Sequence, residues 1–428
     1  MPNRRMRAAV AGLALLVASP EARAQMTTPS AAADAMAGSH VAWVEGFAAV
    51  AGNPARLGIP GGPRRSATIM SLRGFAGLDP IGLGDLAEYA GERLPVEVRE
   101  SWLERIARAG GEEGSAGLDA TLFAIQEGRF GMHFSSGGHV DANLAPGAAE
   151  LVLFGNAGRT GEAADISLSG SSLDAVMASA LALAYAQPLV ESADRAVSVG
   201  ATVKYTMGHI LISAFDVQGE ATAEPLAIGV EFPVVQSGER MVPVTDRRGS
   251  GWGMDIGVAW QEKRFQAGLT VRDLFSSFEW DRSILVYRPG TISVTEDERA
   301  TDFAVRPISE APEEVRGRAR AFRPSPTLAA GVAFSPADDW VLAADVRQRL
   351  GDEPRPDPAL QAGAGAEYRP ASWLPLRAGA AIVSQGYHLS AGLGIELSSV
   401  GLDLSLVRRR TDVGSGTLAS LTFSFGTY

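Results

Sequence analysis

Residues 389–410 read LSAGLGIELSSVGLDLSLVRRR. From Leu389 to Leu397 every second residue is apolar: Leu389, Ala391, Leu393, Ile395 and Leu397. Ser390, Gly392, Gly394 and Glu396 lie between them, and the pattern restarts at Val400, Leu402, Leu404 and Leu406. A strict period of two marks β-strands with two unlike faces. Here one face carries no polar atom, and the other is glycine, serine and carboxylate.

The same alternation recurs along the chain. One face takes Val197, Val199, Ala201, Val203 and Tyr205; Met254, Ile256, Val258 and Trp260; and Phe265, Ala267, Leu269 and Val271. It continues through 328–334, 340–346, 360–368 and 376–382. Weaker candidates fall near 66–78, 117–126, 129–141, 163–170, 177–187, 208–218, 222–235 and 282–289. The opposite face holds mid-strand glycines, alanines and isolated charges. A water-exposed sandwich gathers its glycines in turns and fills its outer face with Lys, Glu and Thr. Strands crossing lipid explain both faces, because apolar residues meet hydrocarbon and small or polar ones line a lumen. Closure into a ring removes the unpaired edges that lipid cannot satisfy. The fold class read from the pattern is all-β: an antiparallel transmembrane outer-membrane β-barrel of about 14 strands, in the range of roughly 12–16.

The remainder of the sequence is consistent with export. MPNRRMRAAVAGLALLVASPEARA has a basic start, a short apolar run and a small-residue exit at Ala22-Arg23-Ala24, the layout of a cleaved signal peptide over 1–24. Its loss removes four arginines and one glutamate, three net positive charges, and takes the formal charge from −11 to −14. An acidic chain does not bind nucleic acid through bulk electrostatics. There is no cysteine, which excludes disulfides, thiolate metal sites and thiol nucleophiles. Residues 25–428 are expected to form the barrel, in the outer membrane of a Gram-negative-type bacterium.

Counting back from a last strand near 417–428, the inner connections 398–399, 370–373 and 335–339 are brief. The outer ones at 350–358 and 290–325 are long and charged, the asymmetry such barrels show. A helical insert is expected over about 82–110. Pro95 starts its second helix, Glu97 and Glu100 lie early, Arg105 and Arg108 late, and Gly110-Gly111 stops it. It reads equally as a plug or cap on one mouth and as a surface hairpin. Residues 146–154 suggest another short helix. Tyr428 supplies a terminal aromatic, out of phase with Leu421, Phe423 and Phe425.

AWVEGFAAVAGNPARLG, with Asn53-Pro54-Ala55 ahead of the first strand, resembles the entry of the FadL/PorV-type outer-membrane barrel superfamily. The run from RFGMHFSSGGHVDANLAPGAAELVLFGNAGRTGEAADISLSG to VSVGATVKYTMGH resembles an uncharacterised branch of it, with Gly155-Asn156 inside. The conjugal-transfer TraF-like barrels are similar. The resemblance implies passage or binding of a small molecule, apolar on the FadL side. On the PorV side it implies a non-transporting scaffold or accessory subunit for secretion or surface assembly. It carries over no catalytic residue. The partners expected are outer-membrane lipid, the barrel-insertion machinery and a small-molecule ligand.

No hydrolase elbow, zinc-binding histidine pair, phosphate loop or calcium loop occurs, and no cofactor or metal site is implied. His133 and His139, with Ser135, Ser136 and Asp141 nearby, are the enzyme candidate, a third reading as an outer-membrane hydrolase. Arg316, Arg318, Arg320 and Arg323 form a basic run in the long outer loop, read first as a solvated segment balanced by Glu310, Glu313 and Glu314. The charges sharing the polar face are the lumen candidates: Lys204, Asp255, Arg272, Asp345, Arg347, Glu367, Arg377, Glu396 and Asp403. They either set the polarity of a passage or pair with one another, since buried charges need partners.

Overall fold

The computed structural model describes residues 30–427 except 156–158, 160–164, 193, 223–226, 239–246, 296–297, 322–323, 351–359, 385 and 412–413. The expected signal peptide 1–24, and Tyr428, lie outside the described residues.

Fourteen antiparallel strands close into one barrel. They are β1 (Arg65–Asp79), β2 (Glu112–Glu127), β3 (Phe130–Leu144), β4 (Ser172–Glu191), β5 (Arg195–Phe215), β6 (Gly249–Glu262) and β7 (Phe265–Ser276). Then follow β8 (Thr327–Phe334), β9 (Trp340–Arg349), β10 (Leu360–Ala371), β11 (Leu374–Val383), β12 (Gly386–Leu397), β13 (Val400–Thr411) and β14 (Gly414–Thr427). Each pairs with its chain neighbours, and β1 closes on β14 from Arg65↔Thr427 to Gly77↔Gly416. One end carries only short turns, at 128–129, 192–194, 263–264, 335–339, 372–373 and 398–399; all long connections leave the other.

The apolar face points out. Leu389 is 53% exposed, whereas Ser390 is 8% exposed on the inward side. Ile256, Val332, Leu342, Leu393, Leu397 and Leu406 are likewise exposed. A large apolar belt of this kind is unfavourable in water and matches lipid.

Residues 30–62 run through the interior as a plug. A helix α1 (Ala31–Ala35), capped by the Ser30 side chain, leads into two 3-10 turns at Gly46–Val50 and Pro54–Gly58. The inward glycines make room for it. A Cβ on Gly365 would sit 2.6 Å from Met36 Cβ, and one on Gly379 would sit 2.7 Å from Ala37 N. Gly200 abuts Pro54 and Ala55, Gly257 meets Asn53, and Gly268 meets Val41. Inward alanines do the same for side chains: Val44, Phe47, Val50 and Leu57 pack on Ala180, Ala182, Ala184 and Ala186 of β4.

The inward polar residues satisfy the plug's main chain, which a closed interior demands. Ala31 N donates to Thr422 Oγ1 (2.9 Å), Ala37 N to Ser390 Oγ (2.9 Å) and Phe47 N to Ser66 Oγ (2.7 Å). Thr202 Oγ1 donates to Val50 O (3.2 Å) and Gln361 Nε2 to Ala37 O (3.0 Å). Asn53 Nδ2 ties two parts together, donating to Val41 O at 2.9 Å and Val258 O at 3.1 Å.

At the loop end the insert forms α2 (Leu83–Glu88) and α3 (Val96–Ala109), which pack with α4 (Pro146–Phe154) around Ile81, Trp102, Leu103, Ile106 and Ala149. It is a cap beside the mouth; the interior is filled instead by residues 30–62. The Arg105 guanidinium beside Asp85 holds that carboxyl below the usual carboxylate range. Segment 277–321, ending in α5 (Glu313–Ala321), folds Phe278, Trp280, Leu285, Tyr287, Ile308 and Val315 onto Val176, Leu211 and Phe215. Arg316 binds Glu313, and Arg318 lies 4.2 Å from the Phe215 ring centroid and 3.5 Å from Asp174. Arg316 thus pairs with one of the glutamates expected to balance the run, and both arginines stay partly exposed; Arg323 lies outside the described residues.

Several strand expectations are corrected here. The described residues of 163–170, 222–235 and 282–289 form none of the fourteen wall strands, although Val234 and Val235 pair with the loop end of β5. They contribute Ile166–Ser167, Ala227–Glu231 and Leu285–Arg288 to pairings at the loop end. The stretches 197–205 and 208–218 belong to one 21-residue strand. A bulge at His209 reverses which residues face inward, so the continuous strand reads as two.

Gly365→Val is expected to press on Met36 and cost roughly 1–3 kcal/mol, as overpacking does. The outward-facing Ala364→Val should stay within about 0.5 kcal/mol of the parent. Denaturant unfolding in lipid vesicles, with proteolysis near residue 36, distinguishes the two.

Candidate lumen site

The inward charges fall into three groups. Nearest the turn end, Arg377 Nε lies 2.6 Å from Glu367 Oε2 and its Nη1 lies 2.5 Å from Asp403 Oδ1. Arg369 joins Glu367 at 2.7 Å and grips Glu396 with both terminal nitrogens at 2.6 and 3.2 Å. Four adjacent strands, β10 to β13, are thereby bolted together.

The second group is a triad. Lys204 Nζ lies 2.7 Å from Asp255 Oδ1 and 2.5 Å from Asp273 Oδ1, and Lys204 is only 3% exposed. Alternation alone turns Asp273 outward. The pairing of β6 with β7 shifts register between Met254 and Ile256, and Asp273 adopts φ +50°, which swings its carboxylate inward. Asp255 Oδ1 accepts Asp273 N–H at 2.7 Å and holds this bulge.

The third group faces the loop side of the plug. Asp345 Oδ2 accepts His40 N–H (2.7 Å) and Val41 N–H (2.9 Å), fastening the plug to β9. Arg347 Nη2 reaches Gly38 O at 3.5 Å, and Arg272 faces inward from β7. Arg73 lies 3.4 Å from Asp34 on α1 and 3.6 Å from Asp119 on β2. Asp119 Oδ1 is 3.0 Å from His139 Nε2.

All nine lumen candidates thus point into the barrel. Most act within ion pairs or on plug backbone. Arg73, Asp34, Asp119, Asp273 and Arg369 were not singled out in the sequence. Asp34 and Arg73 lie in stretches without strict alternation, and the bulge hides Asp273. His133 Nε2 meets Thr121 Oγ1 at 3.0 Å, and Ser136 meets Ser179 Oγ at 3.0 Å. Ser179 in turn lies 2.9 Å from His209 Nε2. The histidines expected to serve a hydrolase therefore engage Asp119 and Thr121, while Ser136 belongs to a separate chain around the bulge.

The fourteen-strand barrel has counterparts among known proteins. Residues 97–346, more than half of the sequence, match the family described as F plasmid transfer operon, TraF, protein. The chain belongs to that family. Comparison with curated proteins finds no sequence match. Among solved structures the TraF-family chain is similar to the Ralstonia pickettii toluene transporter TbuX, at TM-score 0.53 and 15% identity over 93% of this chain and 98% of that one. It is also similar to a deltaS2 mutant of the monoaromatic hydrocarbon channel TodX, at TM-score 0.53 and 13% identity over 93% and 99%. At these identities the likeness establishes the fold, which is that of FadL-type outer-membrane barrels. These two neighbours are a transporter and a channel.

Lys204→Met leaves Asp255 and Asp273 facing each other without their cation and should cost about 3–5 kcal/mol. Adding Asp255→Asn and Asp273→Asn should restore most of that loss. Chemical denaturation midpoints in lipid vesicles measure both.

Proposed function

We propose that the protein resides in the outer membrane of a Gram-negative-type bacterium and admits a small molecule, apolar in at least part of its body. The carrying observation is that the lumen is closed by a separate length of chain, residues 30–62, resting in a groove of wall glycines and alanines. Hydrogen bonds to wall side chains hold its main chain, and none of these is a strand pairing of the wall. The fold shared with toluene and monoaromatic hydrocarbon channels supports an apolar solute. On this reading the turn end faces the periplasm, lipid surrounds the apolar belt, and the insertion machinery assembles the barrel. The nine charges build the lumen and set its polarity; none is assigned a catalytic role.

A second reading, a scaffold for a surface assembly, draws on one observation. The strand Arg299–Asp302 pairs on one side only, against Thr291–Val294, and is followed by exposed Phe303 and Val305. An open edge of this kind accepts an added strand.

Uptake of radiolabelled toluene by cells with and without the protein tests the leading reading. Slower uptake in the deletion strain is expected. Equal uptake, together with stoichiometric co-purification of a partner protein in mild detergent, would favour the scaffold instead.

A further inference from the structure

A second sheet forms from the long connections at the loop end. Its strands run in the order Arg299–Asp302, Thr291–Val294, Ala227–Glu231, Gln218–Thr222 and Ile166–Ser167. Arg299–Asp302 is a terminal strand, paired from Thr291↔Asp302 to Val294↔Arg299. At the hairpin tip Thr295 N–H donates to Glu298 O (2.8 Å), which makes 295 and 298 a hydrogen-bonded pair. Such pairs alternate along an antiparallel ladder. Glu298, Ala300 and Asp302 therefore turn their main-chain groups toward Thr291–Val294. Arg299 and Thr301 turn theirs away, to the side where no strand pairs. A proline or a bulge commonly blunts an open edge; this ladder has neither. Arg299, Ala300 and Thr301 are exposed, and Phe303 just beyond them is 46% exposed.

This edge is complementary to itself. Two identical antiparallel strands pair about a two-fold axis through one residue, and the choice of that residue fixes every other pair. Centred on Thr301, each Thr301 exchanges its N–H and C=O with its copy, so the outward-turned groups bond each other. Arg299 of each chain then stands opposite Phe303 of the other, on the face they share with Thr301. That places a cation against an aromatic ring, twice. Asp302, already held by Arg306, stands opposite Ala300. The neighbouring registers are worse. Centring on Arg299 opposes two guanidinium groups, centring on Asp302 opposes two carboxylates, and centring on Ala300 sets Glu298 against Asp302. Like charges directly opposite destabilise a sheet. Centring on Phe303 makes the central pair depend on a carbonyl that Arg288 Nη1 already takes at 2.9 Å.

We infer that the Arg299–Asp302 edge pairs with the same edge of a second copy of this chain, about a two-fold axis at Thr301. The contact is closed, since each copy covers the edge of the other. It does not depend on the solute admitted, and it names the occupant of the edge on which the scaffold reading draws.

The test uses the full chain in a non-ionic detergent. Because the sequence has no cysteine, single thiols report the register. Residues opposite one another in a hydrogen-bonded pair have Cα atoms about 5.5 Å apart, within disulfide reach. Under mild oxidation Thr301→Cys is expected to give a covalent dimer on a denaturing gel. Arg299→Cys, on the same edge, and Ser293→Cys, on the adjoining strand, should stay monomeric. Phe303→Cys should crosslink when mixed with Arg299→Cys and not by itself. Light scattering should give the unaltered chain twice the monomer mass. Phe303→Lys, opposite Arg299 of the other copy, should weaken the dimer about tenfold or more, and Phe303→Glu should retain it. The heat-modifiable gel shift shows that each variant barrel is closed; should a variant fail to fold, the mass of the unaltered chain still decides. A monomer by light scattering, or equal crosslinking at all these positions, overturns the inference. So does Thr301→Cys that crosslinks in cells only to a different protein. Any of these results leaves the toluene uptake test of the proposed function untouched.

Discussion

A ring of fourteen strands encloses more space than its own inward side chains can fill, and that space must be occupied or flooded. Here it is occupied by the chain's own N-terminal segment, and the wall is shaped to receive it. Glycine lies where plug backbone comes closest, at Gly200, Gly268, Gly365 and Gly379. Alanine lies where plug side chains press, and Ser66, Thr202, Thr422, Ser390, Gln361 and Asp345 sit where plug main-chain groups need partners. The small and polar inner face is therefore a mould of the plug, while the outer face is simply apolar.

That division explains what was legible in the sequence. Lipid imposes a period of two without regard to detail, so strands such as 389–397 and 400–406 could be read directly, and so could the short and long connections. The plug could not. Residues 30–62 have no period and their polar atoms are satisfied by residues hundreds of positions away, as Ala31 is by Thr422. The glycines on the inner face signalled a close neighbour without saying which. Bulges were the other source of error: at His209 and at Asp273 the alternation breaks, and single-strand reading loses the face. The described residues of 163–170, 222–235 and 282–289 have strand-like composition but pair at the loop end, Val234 and Val235 with the end of β5 itself.

The charges of the lumen follow the same logic at finer scale. Those near the turn end and around Lys204 are closed sets that hold strands together and fix a bulge. Above the plug, Asp345 fastens the plug to β9 through His40 and Val41 N–H. Membership of the TraF family and the fold shared with hydrocarbon channels are both compatible with this arrangement.

The account depends on the two faces of each strand meeting different surroundings, lipid outside and the plug within. Because the chain has no cysteine, single spin labels can be placed at successive positions from 388 to 397 in the barrel reconstituted in lipid. Accessibility to oxygen should alternate with a period of two, high at Leu389, Ala391, Leu393, Ile395 and Leu397. The intervening positions should be immobile and shielded from both oxygen and a water-soluble nickel chelate. Uniform access of the nickel chelate along the strand, or a chain that stays in solution without detergent, would contradict it.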